Sequence, residues 1–224
     1  MLFKNIFKET KRWDIVNQLI TKFDYKDYLE IGQQKGQCFR EIIAVNKEGL
    51  DPKPKDTFGV SCKYHMTSDE FFENHVAEKT YDIIFIDGLH IREQALKDVQ
   101  NSLLHLKEGG SIVMHDCNPA EEWHQVTSLD PVARTHRRQS RGPNQHGDWN
   151  GDVWKAFLDL RRTRSDLEMF TVDTDFGCGI IRLGSQELYK DDSVDNMYSW
   201  KYFKANRNSI LNLISVEEFQ RRFS

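Results

Sequence analysis

Apolar residues recur at three- and four-residue spacing from Trp13 through Val16, Ile20 and Phe23, the period of one helical face. The spacing predicts a helix over residues 12 to 23 that covers one side of the core. Beyond Phe23 the pattern changes. YLEI at 28–31, YDIIFID at 81–87 and SIVMHD at 111–116 are short runs apolar on both faces and read as buried strands. CFREIIAV at 38–45, IREQALKDVQNSLLHL at 91–106 and GDVWKAFLDLRR at 151–162 read as helices between them. LDPKPKD closes a short second strand, FGVSC makes a weak third, and SDEFFENHVAEK is a helix capped by Ser68 or Asp69. LEMFTVDTDFGCGIIRL at 167–183 is two strands joined by a tight TDFG turn. Strands alternating with helices in this way form an α/β, doubly wound parallel sheet covered on both faces.

Two stretches escape the pattern. From Cys117 to Asn150 there is no periodicity, and a loop that long is functional or disordered. After Gly184 come Tyr198, Trp200, Tyr202 and Phe203, then a short helix that Ser215 and Glu218 cap.

Length and composition narrow the class. The 224 residues suffice for one sizeable core with decorations, and 38% hydrophobic and 29% charged residues with a net charge of -4 describe an ordinary globular chain. Nothing global indicates nucleic acid or membrane. Lys4, Lys8, Lys11 and Arg12 admit a membrane-surface role for the first helix, against which stands its packing on the core. Polar residues interrupt MLFKNIFKETKRW before a secretory apolar region forms, and no run approaches the ~20 apolar residues of a membrane span, so a cytoplasmic location is expected. Cys38, Cys62, Cys117 and Cys178 are scattered without a CxxC pair and read as reduced thiols.

In a doubly wound sheet the ligand lies outside the strand ends where the order reverses, commonly at the first strand. YLEIGQQKG sits there, and it lacks the GxGxxG of a dinucleotide site, with Gln33 and Gln34 between Gly32 and Gly36. Glu30 would repel a pyrophosphate, yet it suits a cationic group such as the ammonium or sulfonium of S-adenosylmethionine. Asp51, 21 residues later, has the spacing of an acid that holds two ribose hydroxyls. The same residues also fit a second reading, as plain strand-end charges around a turn.

YLEIGQQKG, LDP, SDEFF, YDIIFIDGLHIREQALKDV, LKEGGSIVMHD and GDVWKAF together resemble a class I S-adenosylmethionine-dependent methyltransferase, within a family related to the metal-dependent sugar O-methyltransferases. The resemblance spans roughly residues 25 to 183. It leaves residues 1–24 as an N-terminal helical extension and 184–224 as a C-terminal one, and makes 117–150 a lid insertion. It implies a Rossmann-like, three-layer α/β/α fold whose seven-stranded sheet has an antiparallel last strand. It further implies that Gly32 and Gly36 admit the methionine part of the cofactor, that Glu30 meets its ammonium and Asp51 its ribose, that Ser68 and Asp69 contact adenine, and that Asp87 and Gly88 lie against it.

Methyl transfer to a hydroxyl oxygen requires alignment and removal of a proton. Asp87 and His90 follow one predicted strand, and His115 and Asp116 end its neighbour. By the resemblance, Asp87, His115 and Asp116 hold a divalent ion and His90 is the general base. The related enzymes place an acid where this chain has His115, so manganese, iron or zinc compete with magnesium. The bland alternative is that His115 points into the core, Asp116 caps a loop and no metal binds. Arg134, His136, Arg137, Arg138 and Arg141, with Trp123 and Trp149, suit an anionic sugar or nucleotide-sugar, or form a merely solvated lid. An inactive S-adenosylmethionine-binding protein and, less well, an NAD-dependent oxidoreductase are the competing functions. A hydrolase is disfavoured, since no GxSxG occurs. The acceptor is a small molecule, and self-association stays open.

Overall fold

The computed structural model describes residues 9–127, 149–192 and 196–224. The described strands are β1 (Asp27–Ile31), β2 (Asn46–Leu50), β3 (Tyr81–Ile86), β4 (Leu106–Met114), β5 (Leu167–Val172), β6 (Cys178–Leu183) and β7 (Leu213–Ile214). The helices are α1 (Arg12–Phe23), α2 (Gln37–Glu41), α3 (Ser68–Asn74), α4 (Arg92–Leu104), α5 (Val153–Thr163), α6 (Trp200–Leu211) and α7 (Val216–Arg222). One seven-stranded sheet runs β2-β1-β3-β4-β6-β5-β7. β1 pairs in parallel with β2 and β3, and β3 with β4. β6 is antiparallel to both β4 and β5, as the hairpin at 167–183 requires.

Residues alternate between two cores because successive strand side chains point to opposite faces. Leu29, Ile31, Ile84 and Ile112 pack with α3 to α6, while Tyr28, Ile83, Phe85 and Val113 pack with α1, α2 and α7. The result is the three-layer α/β/α arrangement. α5 presents the widest apolar stripe, with Val153, Trp154, Phe157 and Leu160 buried.

Three elements differ from expectation. FGVSC is no strand; a lone parallel bridge joins Leu50 to Tyr64. Its place in the count is taken by β7, from the C-terminal segment, parallel to β5. α2 stops at Glu41 because Asn17 of α1 takes over the next backbone groups, donating to the Glu41 carbonyl at 2.8 Å and accepting the Ile43 N–H at 3.0 Å. Ser215 caps α7 as expected, accepting the Glu218 N–H at 3.2 Å. All four cysteines are free thiols, three of them buried. No described helix is long and apolar enough to cross a membrane.

Candidate active site at the strand ends

The chain leaves β1 to build β2 on one side and returns to build β3 on the other, so a crevice opens between β1 and β3 where the order reverses. A cavity of about 620 Å³ lies there. Gly32 ends β1 with φ +91°, and a Cβ on it would sit 2.2 Å from the Asp87 carbonyl oxygen. Only glycine lets the two strand ends close, with the Asp87 N–H donating to the Ile31 carbonyl at 2.9 Å. Gly88 also lines the cavity, but a Cβ there would meet nothing nearer than 3.4 Å.

One group of wall residues is built for hydrogen bonding. Asp51 follows β2; its carboxylate accepts the Gln34 N–H at 2.9 Å and the Lys53 N–H at 2.7 Å, which fixes it while each oxygen keeps further acceptor capacity. Thr67, not Ser68 or Asp69, caps α3, accepting the Glu70 N–H at 3.2 Å. Ser68 and Asp69 therefore stay on the cavity wall, joined by Gln94, whose amide donates to Ser68 Oγ at 3.2 Å and Asp69 Oδ1 at 3.0 Å. Gln94 also donates to Asp98, whose carboxyl burial pushes up to about 6.

Two residues expected at the cofactor lie elsewhere. Glu30 shares its strand face with Tyr28, is 2% exposed and does not line the cavity. Burial pushes its carboxyl up to about 8, against the Tyr28 hydroxyl that donates to it. Gly36 heads α2 with φ +77°, where a Cβ would strike Val60 at 2.2 Å; it shapes the turn and is not on the cavity wall.

The second group is charged. His90 Nδ1 lies 3.0 Å from the Trp149 carbonyl, which can only accept, so Nδ1 carries a proton and Nε2 faces the cleft. Nε2 is 3.2 Å from Asp87 Oδ1 and 3.2 Å from Asp116 Oδ2, and the ring stacks on Trp149. His115 repeats the arrangement. Its Nε2 donates to the Asp175 carbonyl at 2.6 Å, leaving Nδ1 3.3 Å from Asp87 Oδ1 and 3.1 Å from Asp116 Oδ2. Burial opposes charge on both imidazoles, but the carboxylates outweigh it: His90 is raised above the ordinary histidine range, and His115 is pushed up to about 10. Asp87 is held well below the usual carboxylate range, because His115, His90 and Arg12 outweigh its burial. Asp116 has φ +63°, a conformation costing about 1 to 3 kcal/mol in a non-glycine residue, and Asn150 Nδ2 holds it through its carbonyl and, at 3.1 Å, Oδ1.

The pattern along the chain gave no site role to Gln94, Asn150 or Asp175, and to Arg12 only a membrane-surface one. Arg12 opens α1, and its Nη1 donates to Asp87 Oδ2 at 2.8 Å, its Nε to Asp175 Oδ2 at 2.9 Å. It lines the cavity with Phe176 of the TDFG turn. Trp149 lies against His90, while Trp123 is not on the cavity wall. Arg134, His136, Arg137, Arg138 and Arg141 fall outside the described residues.

Sheet order, the antiparallel β6 hairpin beside β4, and a cleft with an acid after β2 give the fold of a class I S-adenosylmethionine-dependent methyltransferase. More particularly, residues 20–117 match the family model of a methyltransferase domain. Among solved structures, an SAH-bound methyltransferase from Podospora anserina superposes with TM-score 0.53 at 17% identity, covering 79% of this chain and 80% of its own. A candidate O-methyltransferase from Klebsiella pneumoniae gives 0.52 at 13% identity over 80% and 83%. A candidate caffeoyl-CoA O-methyltransferase from Staphylococcus aureus gives 0.50 at 18% identity over 77% and 82%. Likenesses at such identities speak to the fold. No curated protein matches the chain.

Proposed function

We propose that the chain methylates a hydroxyl oxygen of a small molecule, a sugar or nucleotide-sugar being the class the sequence favours. The observation that carries this reading is the single cavity walled both by the Asp51, Ser68, Asp69 and Gln94 group and by the Asp87, His90, His115 and Asp116 cluster. The first group fits the cofactor: Asp51 offers acceptors for ribose hydroxyls, and Ser68, Asp69 and Gln94 offer donors and acceptors for a base edge. Gly88 leaves the wall between them bare. S-adenosylmethionine supplies a methyl group on a sulfonium, a good leaving group. Solved structures named as O-methyltransferases share the fold, which supports oxygen as the acceptor atom.

The second group handles the proton. As the oxygen gains the methyl it must lose hydrogen, and His90 Nε2 is the cleft-facing ring nitrogen that takes it. Asp87 and Asp116 stabilise the imidazolium so formed, and the Trp149 carbonyl fixes the tautomer. Trp149 and Phe176 line the same cavity. The donor set also fits a divalent ion: Asp87, His90 and Asp116 each offer a ligand atom within 4.8 Å of the others, and His115 Nδ1 reaches both carboxylates. An ion held there would lower the pKa of a hydroxyl bound to it.

The test is incubation with methyl-labelled S-adenosylmethionine and a panel of sugars, nucleotide-sugars and catechols, read by mass spectrometry, beside calorimetry with S-adenosylhomocysteine and NAD. The expected result is an O-methyl ether, with kcat falling about 10²- to 10⁴-fold in His90→Ala while S-adenosylhomocysteine affinity stays within twofold. Cofactor binding without transfer to any acceptor would support a binding protein, and NAD binding alone an oxidoreductase.

A further inference from the structure

We infer that Arg12, the first residue of α1, binds the carboxylate of the cofactor's methionine head, and that its ion pair with Asp87 is the receptor for that zwitterion. The inference rests on the cleft being an S-adenosylmethionine site. It adds a binding residue from outside residues 20–117, the stretch that matches the methyltransferase model.

The covalent order of the cofactor sets which end of the cavity the head occupies. Base, ribose, sulfur and amino-acid head follow one another in line. With Ser68, Asp69 and Gln94 at the base and Asp51 at the ribose, the head falls toward the β1 and β3 ends, where Arg12 and Asp87 form the wall. A carboxylate and an ammonium arrive there together, and charges withdrawn from water need counter-charges. Glu30 is not on the wall, and Arg12 is the only lysine or arginine among the described residues that line the cavity. His90 and His115 are no substitute. Their ring nitrogens are taken up by Asp87, Asp116 and the Trp149 and Asp175 carbonyls.

The Arg12 guanidinium is held in place and still has hydrogens to give. Asp175 Oδ2 accepts the Arg12 backbone N–H at 2.9 Å and its Nε–H at 2.9 Å, while Nη1 donates to Asp87 Oδ2 at 2.8 Å. Nη2 carries two hydrogens and, among the described residues, makes one long contact of 3.5 Å, to Asp175 Oδ1. At least one N–H is therefore unclaimed, on a side chain that is 23% exposed and lines the cavity. A planar fork already fixed along one edge loses little freedom when a carboxylate takes the rest. Asp87, beside it, stands where the neighbouring ammonium needs an anion. A cation next to an anion is the complement of a zwitterion.

The experiment is calorimetry on the full chain with S-adenosylhomocysteine, its decarboxylated analogue S-adenosyl-3-thiopropylamine, and 5′-methylthioadenosine, which lacks the head. In the wild type, loss of the carboxylate should weaken binding roughly 10- to 100-fold, the worth of a charged hydrogen bond. In Arg12→Ala that preference should shrink to about threefold or less, the coupling that a double-mutant cycle isolates. Affinity for 5′-methylthioadenosine should stay within about twofold, which shows the variant folded with its nucleoside end intact. Should Arg12→Ala not fold, Arg12→Lys keeps the charge, loses the fork, and should show a preference at least about threefold below the wild type's. No carboxylate preference in the wild type, or a full one in folded Arg12→Ala, overturns the inference and spares the cofactor site. A higher KM for the acceptor as the sole effect of Arg12→Ala also overturns it and assigns the cation to the acceptor. If none of the ligands binds the wild type, the cofactor reading fails and takes this inference with it.

Discussion

Replacing Glu30 by glutamine separates the two roles the residue could have. In the fold its carboxyl titrates at about 8 because burial disfavours the charge, against 4.5 when solvated. Between those values the folded chain keeps a proton that the unfolded chain has released, so unfolding releases it and stability falls as pH rises. The slope is about 1.4 kcal/mol per pH unit, and the whole 3.5-unit difference would amount to about 5 kcal/mol, an upper bound that local relaxation and water entry reduce. Below about pH 4.5 the effect vanishes, and above about pH 8 it is complete. Glutamine carries no charge and keeps a carbonyl for the Tyr28 hydroxyl. Glu30→Gln should therefore match the wild type within about 1 kcal/mol near pH 5 and gain on it steadily toward pH 8.

The assay is urea unfolding of both proteins at pH 5, 6, 7 and 8, with two-state behaviour checked by coincident fluorescence and circular dichroism. A stability difference that is flat across this range, or one in which the wild type gains with pH, would refute the buried neutral carboxyl. Calorimetry with S-adenosylmethionine completes the experiment. A charged hydrogen bond to the cofactor ammonium is worth about 1.5 to 3 kcal/mol, so its loss would weaken binding roughly 10- to 100-fold. Because Glu30 is not on the cavity wall, affinity should change less than twofold.

Asp51→Ala should weaken S-adenosylhomocysteine binding about 10- to 100-fold by calorimetry, since ribose hydroxyls lose a charged acceptor; unchanged affinity would remove Asp51 from the cofactor site. Gly32→Ala should cost about 2 to 4 kcal/mol, seen as a Tm lower by about 5 to 12 °C, because a Cβ would press on the Asp87 carbonyl at an unfavourable φ; a wild-type Tm would show that the β1 and β3 ends are not as close as described.

The legible part of the fold was the part with a local period. β1, β3 and the hairpin at 167–183 announced themselves as runs apolar on both faces, and α4 as a helical stripe. The acids at the strand ends came from topology, since Asp87 and Asp116 had to emerge side by side once their strands were neighbours. Parity was not used for Glu30: in a strand residues 28 and 30 share a face, and it is Ile31 that lines the cavity. α2 and β7 were hidden for another reason. Asn17 ends α2 from another helix, and two residues of strand carry no period at all.

Arg12 shows why no local reading could have completed the site. It stands one position outside the stripe of Trp13, Val16 and Ile20, where a cation is ordinarily a solvated side chain. Its partners are Asp87 and Asp175, 75 and 163 residues away. The other end of the chain does the same. Arg207 of α6 donates to Asn118 Oδ1 at 3.0 Å, and Asn118 Nδ2 donates to Asp173 Oδ1 at 2.9 Å, next to the turn whose Asp175 carbonyl orients His115. Thr174 of that turn donates to the Thr10 carbonyl at 2.6 Å. The TDFG turn is thus held by the segments before residue 25 and after residue 183, the two stretches that the resemblance left out. A parallel sheet brings acids to one edge by its topology alone. Asp116 is held by Asn150, but Arg12 of the first segment turns Asp87, and both ends hold the turn whose Asp175 carbonyl orients His115, so part of the candidate site's geometry depends on residues outside the stretch that resembles a methyltransferase.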